Sequence, residues 1–195
     1  MNTANKLRIT RIVIGIIILV ILYVPFQDIG IDIPSFYVMG RILVDIRYIL
    51  SGVLFALACL TFYLESSLLK KGKGTSFNIL EDISNKILID GLLILLSYQG
   101  FISVVVAIVV VLRDIVVSSF KTSMMSSNKV SKNNKYTTMM NVFLMLGVML
   151  TLFYNLPFEV WGIYVSELFV YIGTVFAVLS MLIYYFQIKE HFMKN

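Results

Sequence analysis

Apolar residues run in six long blocks along this chain, and the polar residues fall mainly between them. The blocks cover 9–26, 48–68, 77–97, 101–124, 137–154 and 161–186, with Leu and Ile dominant. A helix needs about 20 apolar residues to cross a bilayer, and each block is close to that length. The pattern therefore predicts an all-α integral membrane protein with six transmembrane helices, folded as a single domain over residues 1–195. Little chain remains for a soluble domain.

Composition sharpens this reading. The chain is 59% apolar, with a mean hydropathy of +0.91, more apolar surface than a soluble domain of 195 residues can hide. Basic residues mark alternate ends of the blocks: Lys6, Arg8 and Arg11, then Lys70, Lys71 and Lys73, then Lys121, Lys129, Lys132 and Lys135, and finally Lys189 and Lys194. The opposite loops carry Arg41 and Arg47 against Asp28, Asp32 and Asp45, and later Glu159. This asymmetry predicts both termini in the cytoplasm. The net charge of +5 also favours anionic lipid headgroups, at about 1 kcal/mol per near-surface Lys or Arg. No basic–aromatic stripe on a soluble surface points to nucleic acid. No small-residue cleavage site follows the first block, which predicts a retained helix. Cys59 stands alone, so there is no internal disulfide framework.

Ionisable residues at membrane depth are costly and mark function. Block two holds Glu65; block three holds Glu81, Asp82, Lys86 and Asp90; block four holds Arg113 and Asp114. Glu81, Asn85 and Lys86 lie within about a helical turn, and Lys86 and Asp90, four apart, are placed to neutralise each other. Two arrangements fit this spacing. One is a set of interfacial charges solvated at helix ends. The other is a polar cavity walled by helices two, three and four, holding a divalent ion on carboxylates and a phosphate on Arg or Lys. Spacing alone leaves both open.

Several segments resemble the CDP-alcohol phosphatidyltransferase family, and within it the bacterial phosphatidylglycerophosphate synthase branch. Residues 5–11 (NKLRITR) resemble the family's opening N-x-L-T-x-x-R; residues 60–66 (LTFYLES) stand where it has L-T-D-F-x-D-G; residues 83–88 (ISNKIL) stand where it has L-A-D-K-L-L; and 113–117 (RDIVV) resemble R-E-F/I-x-V. The resemblance implies a six-helix bundle in a bacterial cytoplasmic membrane. It also implies transfer of a phosphatidyl group from CDP-diacylglycerol to an alcohol, here glycerol 3-phosphate. The family signature, D-x2-D-G-x2-A-R-x8-G-x3-D-x3-D, supplies acids for Mg or Mn and a base for the attacking hydroxyl.

None of the signature residues is kept. Phe62 replaces the first Asp and Glu65 the second; Ser66 replaces Gly, Leu69 replaces Ala and Lys70 replaces Arg. Phe77 then stands for the second Gly, Glu81 for the third Asp and Asn85 for the last, after a spacer two residues short of the family's. Glu for Asp moves a carboxylate by about 1.5 Å. Phe62 removes a ligand, and the Asn85 amide is no base. Loss of a general base alone costs on the order of 10²–10⁴ in rate. On the acceptor side the resemblance is better kept: Arg113, Lys121 and Lys135 are candidates for holding a substrate phosphate.

Three function classes follow. The first is a catalytically impaired homologue, a pseudoenzyme acting by binding lipid, phosphate or a partner, as a homodimer or beside an active synthase-like subunit, with no cofactor. The second is a divergent active transferase with Mg or Mn on Glu65, Glu81 and Asp82. The third is a small transporter or channel.

Overall fold

The computed structural model describes residues 3–26, 30, 34–38, 42–70, 79–126 and 135–192, without the side chains of 3–4, 66–70, 79, 124–126, 188 and 190–192. Six helices carry it: α1 (Thr3–Tyr23), α2 (Ile46–Lys70), α3 (Ile79–Tyr98), α4 (Val104–Ser126), α5 (Lys135–Leu152) and α6 (Val165–Phe192). Each matches one apolar block, shifted by a few residues at its ends. The sequence holds three prolines, Pro25, Pro34 and Pro157. All lie outside the helices, as a residue lacking an N–H requires. α3 ends where Gly100 adopts φ +82°. The Phe101 N–H then reaches the Leu96 carbonyl at 2.9 Å and the Gly100 N–H the Ser97 carbonyl at 3.1 Å, a Schellman closure.

A short antiparallel ribbon, β1 (Ser35–Val38) and β2 (Ile42–Asp45), stands between α1 and α2. The all-α expectation did not include it. Phe36 pairs with Val44; Val44 is fully buried while Phe36 is 42% exposed, so β2 lies against the bundle and β1 outside it. Asp45 then caps α2 by accepting the Arg47 N–H at 2.9 Å. The Asp45 N–H donates to the Tyr154 hydroxyl at 3.2 Å, and the Tyr154 ring meets Tyr48 and Phe101 edge-on.

α3 supplies the centre of the bundle through Leu88, Leu92, Leu93 and Leu96, all fully buried. α1 packs on α2 and α3, α4 packs on α3 and α6, and α5 packs on α6. The α5–α6 contact needs glycine. A Cβ on Gly147 would meet Val170 at 2.5 Å, and one on Gly173 would meet Leu144 at 2.8 Å.

Beside this apolar core the interior also holds charges, and many large apolar side chains lie outside. Arg8, Arg11, Glu65, Arg113 and Lys121 are inside, while Ile16, Val20, Leu57, Leu60, Val105, Leu112, Val175 and Leu182 face outward. Water would oppose both choices, whereas lipid favours them. α2, α5 and α6 contain stretches long and apolar enough to cross a membrane. α1, α3 and α4 are as long, but they carry the charges named above.

Candidate functional site

The charged interior begins with Arg8 and Arg11, three residues apart and on neighbouring turns of α1. Both reach Glu65 on α2, whose side chain is about 2% exposed. Arg8 Nε donates to Glu65 Oε1 at 2.6 Å, and Arg11 Nη2 donates to Oε2 at 2.7 Å. Arg11 spends its other donors on Thr61 Oγ1 at 3.3 Å, Ser84 Oγ at 3.3 Å and Asn85 Oδ1 at 2.8 Å. Its guanidinium carbon sits 5.2 Å from the Phe62 ring centroid, within cation–π range. Arg8 Nη2 reaches Glu81 Oε2 at 3.3 Å and Nη1 reaches Asn5 Oδ1 at 3.0 Å. Two guanidiniums and two carboxylates thus balance, and they tie α1 to α2 and α3.

A second polar group joins α3 to α4. Asp82 Oδ2 accepts from Lys86 Nζ at 3.0 Å and from Ser118 Oγ at 2.7 Å; Lys86 also donates to Ser118 Oγ. This corrects the expected Lys86–Asp90 pair. Lys86 turns back to Asp82, where Ser118 completes a three-way contact, and Asp90 Oδ1 is buried without a hydrogen-bond partner among the described residues.

A third group surrounds Arg113, which is 3% exposed. Its Nε and Nη2 donate to Ser180 Oγ of α6 at 2.9 and 2.5 Å, and Nη2 also donates to Thr137 Oγ1 of α5 at 2.9 Å. Nη1 pairs with the neighbouring Asp114. Lys121 is buried, its Nζ 5.7 Å from the ring of Tyr184, one turn beyond Ser180 on α6. Lys135 is exposed at the first turn of α5.

The charged groups are arranged differently from the expected cavity walled by helices two, three and four: α1 supplies the cations that meet Glu65 and Glu81, and Arg113 turns toward α5 and α6. Of the sequence-derived positions, Phe62, Glu65, Glu81 and Asn85 do come together. Phe77 lies outside the described residues, as do the basic loops at 71–78 and 127–134; Ser66, Leu69 and Lys70 lie on α2 with side chains that are not described. Sequence reading used Arg8 and Arg11 for orientation and did not place Ser118, Thr137 or Ser180 in a site. The available signal was the three-residue spacing of Arg8 and Arg11 at the start of the first apolar block, which puts both on one face of α1.

With this geometry in place, similarity to known proteins becomes informative. The chain is 26% identical over 201 residues to the CDP-diacylglycerol–glycerol-3-phosphate 3-phosphatidyltransferase of Wigglesworthia glossinidia brevipalpis, covering 100% of this chain and 99% of that protein. The enzyme of the same name from Mycoplasma pneumoniae is 27% identical, covering 95% of this chain and 87% of the relative. That from Bacillus subtilis is 22% identical, covering 100% and 95%. The likeness runs the length of the chain. It supports a CDP-alcohol phosphatidyltransferase family, in agreement with the short motifs. No family model matches the chain.

Such a family implies a divalent metal, and the donor set as arranged does not fit one. Both Glu65 oxygens are engaged by guanidiniums. Among the described residues no group of three or more His, Cys, Asp and Glu side chains is placed to hold an ion.

Proposed function

We propose that this chain is a non-catalytic homologue of phosphatidylglycerophosphate synthase that acts in the membrane by binding. The observation that carries the reading is the complete engagement of Glu65 by Arg8 and Arg11 at 2.6 and 2.7 Å. Asn85, at the position of the family's base, accepts a hydrogen bond from Arg11 and has no proton-accepting nitrogen or carboxylate to offer. Phe62 lies beneath the same guanidinium instead of presenting a ligand. The ligand we assign is an anionic lipid or its phosphate, held near Lys121 with Lys135 at the rim, beside Arg113, whose own donors are taken by Ser180, Thr137 and Asp114. The chain crosses the bacterial cytoplasmic membrane six times with both termini inside. It works as a homodimer or beside an active synthase-like subunit.

A second reading is favoured by the full-length likeness to three transferases. In it the chain is a divergent active enzyme, with Mg or Mn drawn to Glu65, Glu81 and Asp82 after the arginines move aside. One experiment separates the two. Purified protein in lipid-containing micelles receives CDP-diacylglycerol, labelled glycerol 3-phosphate and Mg²⁺ or Mn²⁺, with an active synthase as control. The non-catalytic reading expects no label in the lipid phase from folded protein. Label above background that disappears in Glu81→Ala establishes the second reading and overturns the first.

A further inference from the structure

Three oxygen atoms from three separate parts of the chain converge on the Arg8 guanidinium. Glu65 Oε1 lies 2.6 Å from Nε, Asn5 Oδ1 3.0 Å from Nη1 and Glu81 Oε2 3.3 Å from Nη2. Two carboxylates and one amide oxygen are hard donors, the set that Mg²⁺, Mn²⁺ or Ca²⁺ takes. Here a protein cation sits at their centre. We propose that Arg8 is a built-in plug in a latent divalent-metal site, and that removing its side chain uncovers that site. The proposal rests on the non-catalytic reading above and explains what keeps metal out.

The surroundings suit this role. Glu65 Oε2 is held by Arg11 at 2.7 Å, so the carboxylate stays oriented once Arg8 is gone, as an outer partner orients a metal ligand. Arg11 itself stays anchored on Thr61, Ser84 and Asn85. Glu81 stands in the first turn of α3, and its side chain is 28% exposed. An ion from the aqueous phase therefore has a partly hydrated ligand to meet first. The plug leaves only if the Arg8 side chain moves or is removed.

The test is Mn²⁺ binding, followed by electron paramagnetic resonance on full-length protein in micelles, for wild type, Glu81→Gln, Arg8→Met and the Arg8→Met/Glu81→Gln double variant. Thermal unfolding of each is read with Mn²⁺ and with chelator. Wild type and Glu81→Gln are expected to show the same background signal. Arg8→Met gains a saturable Mn²⁺ site and a Mn²⁺-dependent rise in unfolding temperature, and the double variant loses both. If Arg8→Met folds only when Mn²⁺ is present, the plug is equally supported. Saturable Mn²⁺ binding by wild type that Glu81→Gln abolishes would overturn the proposal. So would an Arg8→Met protein that neither binds Mn²⁺ nor is rescued by it. The transferase assay is read separately. Turnover without Mn²⁺ at Glu81 defeats the non-catalytic reading alone, and Mn²⁺ at Glu81 without turnover defeats the plug alone.

Discussion

Glu65 is the residue on which the charged interior depends. Its carboxylate is almost fully buried and answers two buried guanidiniums. Removing one member of a buried ion pair leaves the others charged, desolvated and without a counter-ion, which costs about 3–5 kcal/mol. Glu65→Gln is therefore expected to destabilise the protein by that amount in chemical or thermal unfolding in micelles. Glu81 makes one contact at 3.3 Å and its side chain is 28% exposed. Water takes over part of its role, and Glu81→Gln should cost about 1 kcal/mol or less. Equal losses in the two variants would mean that the pair does not form as described. Arg113 gives a parallel case, because Ser180 Oγ receives two of its donors. Ser180→Ala should cost about 1.5–3 kcal/mol, the range for a hydrogen bond to a charged group. At this scale the sequence was partly legible. The motif alignment brought Phe62, Glu65, Glu81 and Asn85 to one place. The partner of Lys86 was not legible, because a residue on a helix has neighbours both four before and four after it. Ser118, on another helix, decides for Asp82.

Among the elements, the six apolar blocks map onto six helices because the prolines fall at or beyond the helix ends, Pro25 closing the first block two residues after α1 stops. The ribbon was hidden: two four-residue strands in a loop leave too short a pattern, and their pairing relies on Val44 burying against the bundle. The turn into α6 was hidden as well. Asn155, with φ 53°, is 5% exposed. Its amide donates to the Ile163 carbonyl at 2.7 Å and to Glu159 at 3.1 Å, and its Oδ1 accepts the Ser166 N–H at 3.0 Å. Asn155→Ala would leave that N–H and that carbonyl without their partner at the start of α6, for a loss of about 1–3 kcal/mol. Gly147 tests the α5–α6 contact from the other direction. A methyl group there meets Val170 at 2.5 Å and the Val170 backbone nitrogen at 3.0 Å, so relief requires the helices to part. Gly147→Ala is expected to destabilise by about 1–3 kcal/mol. An unchanged unfolding midpoint would show that the two helices are not so closely packed.

For the molecule as a whole, the proposed six-span topology assigns a side of the membrane to each helix end. The first turns of α1 and α5 and the last turns of α6 carry Lys6, Lys135 and Lys189, all exposed, and alternation of the helices puts these at one end of the bundle. The opposite end presents Tyr37 on the ribbon and Trp161 before α6, 69% and 68% exposed. An amphipathic ring is favoured at a lipid headgroup boundary and Lys on the cytoplasmic face, so the proposed topology expects the lysines inside and the two aromatic rings outside. Cys59 is the sole cysteine. A Cys59→Ser background therefore allows single cysteines to be read one at a time. An impermeant maleimide added to intact spheroplasts should label Tyr37→Cys and Trp161→Cys. Lys6→Cys, Lys135→Cys and Lys189→Cys should react only after the membrane is opened. Labelling of any of the three from outside would break the six-span topology, because each reports a different helix end. It would also move Arg8 and Lys121 away from the side where a cytoplasmic phosphate could reach them.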